Sequence, residues 1–84
     1  MFFVYILVSG ADGSFYIGQT NNLTERLRRH NAGLEKYSRS KVPWSILWSQ
    51  TVPTRAEAMA LERKLKNMKS RNRIIAFIKG NTSE

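Results

Sequence analysis

Tyr5 and Tyr16 stand eleven positions apart near the start of the chain, and a basic run carrying Arg26 and His30 follows closely behind them. A phenol, with a pKa near 10, is a poor base at neutral pH unless a neighbouring cation lowers it. Arginine brings a fixed charge and paired donors shaped for phosphate. Imidazole accepts protons in the physiological range. Gathered on one surface, these groups suit proton transfer beside a bound phosphate. Taken singly, each has an ordinary reading: strand aromatics, a solvated cation, and a core histidine bonded to a backbone oxygen.

The elements that must gather them are legible in the pattern. Phe2 to Val8 is continuously apolar, β-branched and aromatic, which predicts a strand covered on both faces. Gly10-Ala11-Asp12-Gly13 is a turn, and Ser14 to Thr20 is the returning strand. A four-residue loop makes paired positions across the hairpin sum to about 23, so Tyr5 faces Gly18 and Leu7 faces Tyr16. Both phenols then share one face as diagonal neighbours about 7–8 Å apart. Gly18 leaves open space in front of Tyr5.

Asn22 with Glu25 resembles a capping box, and the helix it opens runs to about Ala32 before Gly33 stops it. Leu23, Leu27, His30 and Leu34 form its apolar stripe, with Arg26 beside it, while Arg28 and Arg29 point elsewhere. Glu35 to Val42 is a polar, basic loop ending at Pro43. Trp44, Ile46 and Trp48 alternate with Ser45, Leu47 and Ser49, which predicts a third strand to about Val52. Thr54 with Glu57 caps a second helix that buries Ala58, Leu61, Leu65 and Met68, with Glu62 at the edge of that stripe. Glu62 also precedes Lys66 by four residues, the spacing of a helical ion pair. Ser70 caps a last helix that buries Ile74, Ile75 and Ile78 and ends at Gly80, and residues 81–84 fray.

Composition narrows the setting. The chain has 84 residues, enough for one domain spanning 1–84, and 42% of them are apolar. Without cysteine there is neither a disulfide framework nor a thiolate metal site. No apolar run approaches the ~20 residues of a membrane span, nor is there a signal-peptide pattern. We therefore expect a soluble, cytoplasmic protein with no membrane partner. Fourteen basic residues against six acidic give a net charge of +8, an excess that favours polyanions through counterion release.

The ordered set Val4-Tyr5, Tyr16-Ile17-Gly18, Arg26, His30 and a lone Glu62 on a later helix resembles the GIY-YIG nuclease superfamily. The resemblance runs from Phe3 to about Asn81. It looks closest to small stand-alone bacterial members, related to the excinuclease nuclease module, through Tyr37-Ser38-Arg39 and Pro43-Trp44. It implies an α+β fold, a three-stranded antiparallel sheet flanked by helices. It also implies metal-dependent cleavage of DNA phosphodiesters, in single-stranded, duplex or branched substrates. In these terms Tyr5 is the general base or orients the attacking water, and Tyr16 contacts the scissile phosphate or helps position water. Arg26 stabilises phosphate charge, His30 supports proton transfer beside Tyr5, and Glu62 holds one Mg²⁺ or Mn²⁺ ion.

Arg26 and neighbouring cations would lower the pKa of Tyr5. Arg28, Arg29, Lys36, Arg39 and Lys41 would grip the DNA backbone, and Asn72 or Asn81 would join the site. The chain departs from the pattern at Phe3, where the family name has glycine, and at Gln19, where the excinuclease module has a lysine. A role in DNA repair, recombination or processing follows, with a protein partner supplying selectivity. The alternative is a non-catalytic nucleic-acid-binding module of the same fold.

Overall fold

The computed structural model describes residues 1–82. Strand β1 (Phe2–Ser9) is the middle strand of a three-stranded sheet of order β2-β1-β3, both of its pairings antiparallel. Its central position explains the unbroken apolar run: Val4, Tyr5, Ile6 and Leu7 are all buried, two on each face. Strand β2 (Phe15–Thr20) returns from the turn in the register the loop length predicts, with Tyr5 opposite Gly18 and Leu7 opposite Tyr16. The turn is held by Gly13 at φ +78° and by the Ser9 hydroxyl, which accepts from the amides of Ala11 and Asp12.

Helix α1 (Leu23–Asn31) starts at Asn22, whose side chain accepts from the Glu25 amide at 3.1 Å. Only that half of a capping box forms, because the Glu25 carboxylate turns to Arg28 instead. The helix ends in a Schellman turn, in which Gly33 at φ +77° lets Leu34 N–H reach the Arg29 carbonyl. That turn carries Leu34 off the helix, so it is 53% exposed rather than part of the buried stripe. A 3₁₀ turn (Arg39–Lys41) leads into β3 (Trp44–Val52).

Strand β3 departs from simple alternation. Ile6 pairs with Trp48, yet Leu7 pairs with Ile46, which leaves Leu47 as the extra residue of a β-bulge. The bulge resets the parity of the strand. Trp48 and Val52 face one side of the sheet, while Trp44 joins Tyr5 and Leu7 on the other. Reading Trp44, Ile46 and Trp48 as one face is therefore corrected.

Helices α2 (Arg55–Met68) and α3 (Arg71–Thr82) cover the first side. Thr54 and Ser70 accept from the amides of Glu57 and Arg73, as capping residues do. Ala58, Leu65 and Ile74 join Val4, Ile6, Trp48 and Val52 in an apolar core. Leu61, Met68 and Ile78 pack at its margin, as does Phe77, which stands edge-on to Trp48. Ile75 is half-buried, and α3 continues through Gly80 to Thr82 rather than stopping at the glycine. The expected fraying of the last residues falls partly outside the described residues. No helix among the described residues is long and apolar enough to cross a membrane.

Candidate active site

The second face of the sheet holds Tyr5, Leu7 and Trp44, closed over by Leu23 and Leu27 of α1. Tyr5 projects from the middle of β1 and is almost completely buried. Gly18 makes this possible: a Cβ there would lie 2.6 Å from the phenol oxygen and 2.8 Å from Cζ. The space in front of Tyr5 is thus filled by the Tyr5 ring itself, which is why no larger residue fits opposite it. Tyr16 lies beside it with ring centroids 6.3 Å apart and planes at 22°.

His30 projects from the last turn of α1 and is fully buried. Its Nε2 lies 3.3 Å from the Tyr5 oxygen, and its ring stands edge-on to Tyr16 at 4.6 Å. On the other side Nδ1 meets the Ser38 hydroxyl at 2.6 Å, and Ser38 is itself fully buried. Trp44 Nε1–H donates to the Ser38 carbonyl, fixing that loop against the sheet. The bulge in β3 is what brings Trp44 to this face. Asn31 completes the frame: its amide accepts from Trp44 N–H at 2.6 Å and donates to Trp44 C=O at 3.0 Å, tying α1 to the start of β3.

Burial sets the protonation of the pair. It pushes the Tyr5 phenol up to about 12, outweighing the opposing pull of the Arg26 guanidinium beside it. The expectation that Arg26 lowers this pKa has the right sign for its own contribution and the wrong net result. Burial also holds His30 below its ordinary value, and the charge of Arg26 adds to that effect. At neutral pH the site therefore presents a neutral imidazole next to a neutral phenol. Nε2 can accept the phenol proton when Nδ1 carries the hydrogen that Ser38 accepts.

Arg26 flanks this pair. One of its terminal nitrogens lies 3.7 Å from Glu35, which also binds Arg29 Nε at 2.9 Å. Its Nε–H is buried and meets no acceptor. Such an orphan donor costs about 1–3 kcal/mol.

Glu62 comes from the other side of the sheet, on α2. It is 18% exposed, and its carboxylate accepts from Lys66 at 2.7 Å. It lines a separate hollow of about 330 Å³ with Gln19, Met59 and Lys66. Its field still reaches the cluster, since its charge helps raise the Tyr5 pKa. Among the described residues no group of three His, Asp or Glu side chains could hold a metal. One carboxylate oxygen of Glu62 is taken by Lys66. The other suits a hard cation that draws its remaining ligands from phosphate and water.

The backbone-gripping set divides. Arg28 is clamped by both oxygens of Glu25, Arg29 by Glu35, and Lys41 lies 3.7 Å from Asp12. Lys36 and Arg39 are exposed. Asn72 is exposed on the first turn of α3, and the side chain of Asn81 lies outside the described structure. The asparagine the structure does bring to the frame is Asn31, adjacent to His30 in sequence. Ser38 also emerges as a partner, visible beforehand only as part of the Tyr37-Ser38-Arg39 motif.

With this geometry in place, comparison with known proteins is informative. The profile of the family described as the GIY-YIG catalytic domain matches residues 1–74. A UPF0213 protein of Streptococcus sanguinis is 37% identical over 81 residues, covering 95% of this chain and 91% of that protein. A UPF0213 protein of Bacillus licheniformis is 38% identical over 70 residues, covering 82% and 72%. The solution NMR structure of a UPF0213 protein from Bacillus halodurans aligns with a TM-score of 0.60 at 32% identity, over 94% of this chain and 84% of that one.

Proposed function

The chain belongs to the GIY-YIG family, and from that premise we propose that it is a metal-dependent endonuclease hydrolysing DNA phosphodiester bonds. The observation that carries the reading is the part-exposed Arg26 guanidinium beside the buried Tyr5–His30 pair. The paired donors of a guanidinium suit phosphate oxygens. Tyr5, Tyr16, Arg26, His30 and Glu62 are the proposed catalytic residues. The attacking water forms a bond to phosphorus and passes its proton to the Tyr5 oxygen. Tyr5 releases its own proton to Nε2 of neutral His30 in the same step, because a pKa of about 12 leaves no resting phenolate. Ser38 holds the opposite ring nitrogen in the required tautomer. The sugar oxygen departs with the bonding pair and is protonated from solvent, while Arg26 and Tyr16 hold the phosphate oxygens.

Glu62 would hold one Mg²⁺ or Mn²⁺ ion, which when bound supplies positive charge to the phosphate oxygens. Lys36 and Arg39, with Arg28, Arg29 and Lys41 once released from their carboxylates, would contact the backbone. Affinity should then fall steeply with salt and carry little sequence preference. A cytoplasmic role in DNA repair, recombination or processing, with a partner protein supplying selectivity, fits such a small footprint. One observation favours a second reading, a binding module without catalysis: Lys66 already neutralises Glu62.

The test incubates purified protein with labelled single-stranded, duplex and branched DNA in Mg²⁺, Mn²⁺ or EDTA, alongside Arg26→Ala and Glu62→Ala. Cleavage that needs metal and both side chains supports the endonuclease. Binding without cleavage on every substrate supports the module instead.

A further inference from the structure

We propose that a cavity opening beside Tyr16 binds one unpaired nucleotide of the DNA, with its base on Tyr37 and its phosphate on Lys69 and Arg71. The proposal rests on the endonuclease reading, for which it names the substrate class. The cavity measures about 570 Å³, within the size range of small-molecule sites. Tyr16 and Tyr37 line one part of its wall, and Lys66, Lys69 and Arg71 line another. Tyr16 belongs to the candidate active site as well, so the cavity adjoins the place where a scissile phosphate would lie.

Two features separate this cavity from a solvated hollow. Tyr37 is 71% exposed, a large aromatic on a polar loop, and its ring is steadied at 5.9 Å from Tyr16. It is therefore a supported aromatic platform with a free face. Of the cations that share the cavity wall, Arg71 is held in place. Arg71 donates to the Gly13 carbonyl at 2.6 Å and lies 4.4 Å over the Phe15 ring, which holds its guanidinium at the rim. Lys69 occupies the left-handed residue between α2 and α3 at φ +50°, directly before the helix that starts with Arg71.

An aromatic face paired with cations is the arrangement that binds nucleotides by stacking and charge. A base inside a duplex has both faces stacked on its neighbours, so Tyr37 can be used only by a base that is unpaired or flipped out. The cavity thus selects DNA that offers such a base next to the cleaved bond, in single-stranded segments, junctions or flaps.

The test measures binding in EDTA by fluorescence anisotropy, with a short single-stranded oligonucleotide, the same oligonucleotide made abasic throughout, and a blunt duplex. Tyr37→Ala should bind the intact single strand about tenfold more weakly, the weight of one base stack, and Tyr37→Trp should restore it. The abasic strand should bind wild type and Tyr37→Ala alike. Lys69→Gln should reduce the salt slope by about one unit without changing the difference between intact and abasic strands. Equal binding of the intact strand by wild type and Tyr37→Ala would overturn the proposal, as would an equal loss on the duplex. If wild type shows the expected binding pattern yet cuts no DNA with Mg²⁺ or Mn²⁺, the cavity stands and the endonuclease reading fails.

Discussion

The two faces of one three-stranded sheet have been put to different uses. The face under α2 and α3 is a dry core: Val4, Ile6, Trp48, Val52, Ala58, Leu65 and Ile74 bury no polar side chain among them. The face under α1 buries Tyr5, His30 and Ser38 and leaves a charged donor of Arg26 unmatched. Adjacent residues of β1 alternate between these environments, so a single strand supplies both. The lesson is that the first face holds the sheet rigid enough for the second to keep polar groups in an otherwise unfavourable arrangement.

The largest test of that division is a pair of truncations. Arg26→Ala should cut the cleavage rate on the order of 10²–10³ while changing the melting temperature little, since the loss of its Glu35 contact is offset by removal of an unpaired buried Nε–H. Ile6→Ala, at a fully buried core position, should cost about 2–5 kcal/mol of stability while activity per folded molecule is kept. Denaturant melts beside cleavage assays decide it. Loss of both properties in both variants would erase the distinction between the faces.

Gly18→Ala should damage the two properties together, because its methyl would press on the Tyr5 phenol. We expect about 1–3 kcal/mol of destabilisation and a displaced Tyr5, readable in the Tyr5–His30 proximity by NMR. Ser38→Ala sharpens the comparison further. It should lower the rate about tenfold and distort the acid limb of the pH–rate profile, whereas Ser38→Thr, which keeps the hydroxyl, should preserve the profile.

The smallest effects come from pH. His30 is held below its ordinary 6.5, so its contribution to stability is complete above that value and is lost as pH falls through the folded pKa. Tyr5, raised from 10 to about 12, contributes fully below pH 10 and loses that contribution as pH climbs to 12. A His30→Gln variant should flatten the acid side of the stability curve and leave the alkaline side alone. An unchanged acid limb would mean that His30 is not buried as described.

Much of the arrangement could be read from the chain, for physical reasons. The β1–β2 register followed from a four-residue turn whose glycine and aspartate leave few alternatives, and it placed Tyr5 opposite Gly18 correctly. The caps at Asn22, Thr54 and Ser70 were local and equally visible. Long-range facts were hidden. The bulge at Leu47 depends on how β3 meets β1, and an alternating Trp44-Ser45-Ile46 segment gives no sign of it. Ser38 sits in a loop whose path is set by Trp44 and His30 rather than by its own propensity. The net pKa of Tyr5 needed the depth of burial, which sequence neighbours do not report.

The bulge also sets a counting rule for anyone wishing to move this chemistry elsewhere. With Leu47 in place, Trp44 arrives on the same side of the sheet as Tyr5 and meets Asn31 and Ser38. Pairing the same residues evenly, without the bulge, would put Trp44 on the far side with Trp48 and leave the Ser38 loop unanchored. A graft of the five proposed catalytic positions, with β3 at its present length, onto an ideal, evenly paired sheet would therefore carry the right residues and the wrong parity. The length of β3 is part of the transferable unit, as surely as the tyrosines are.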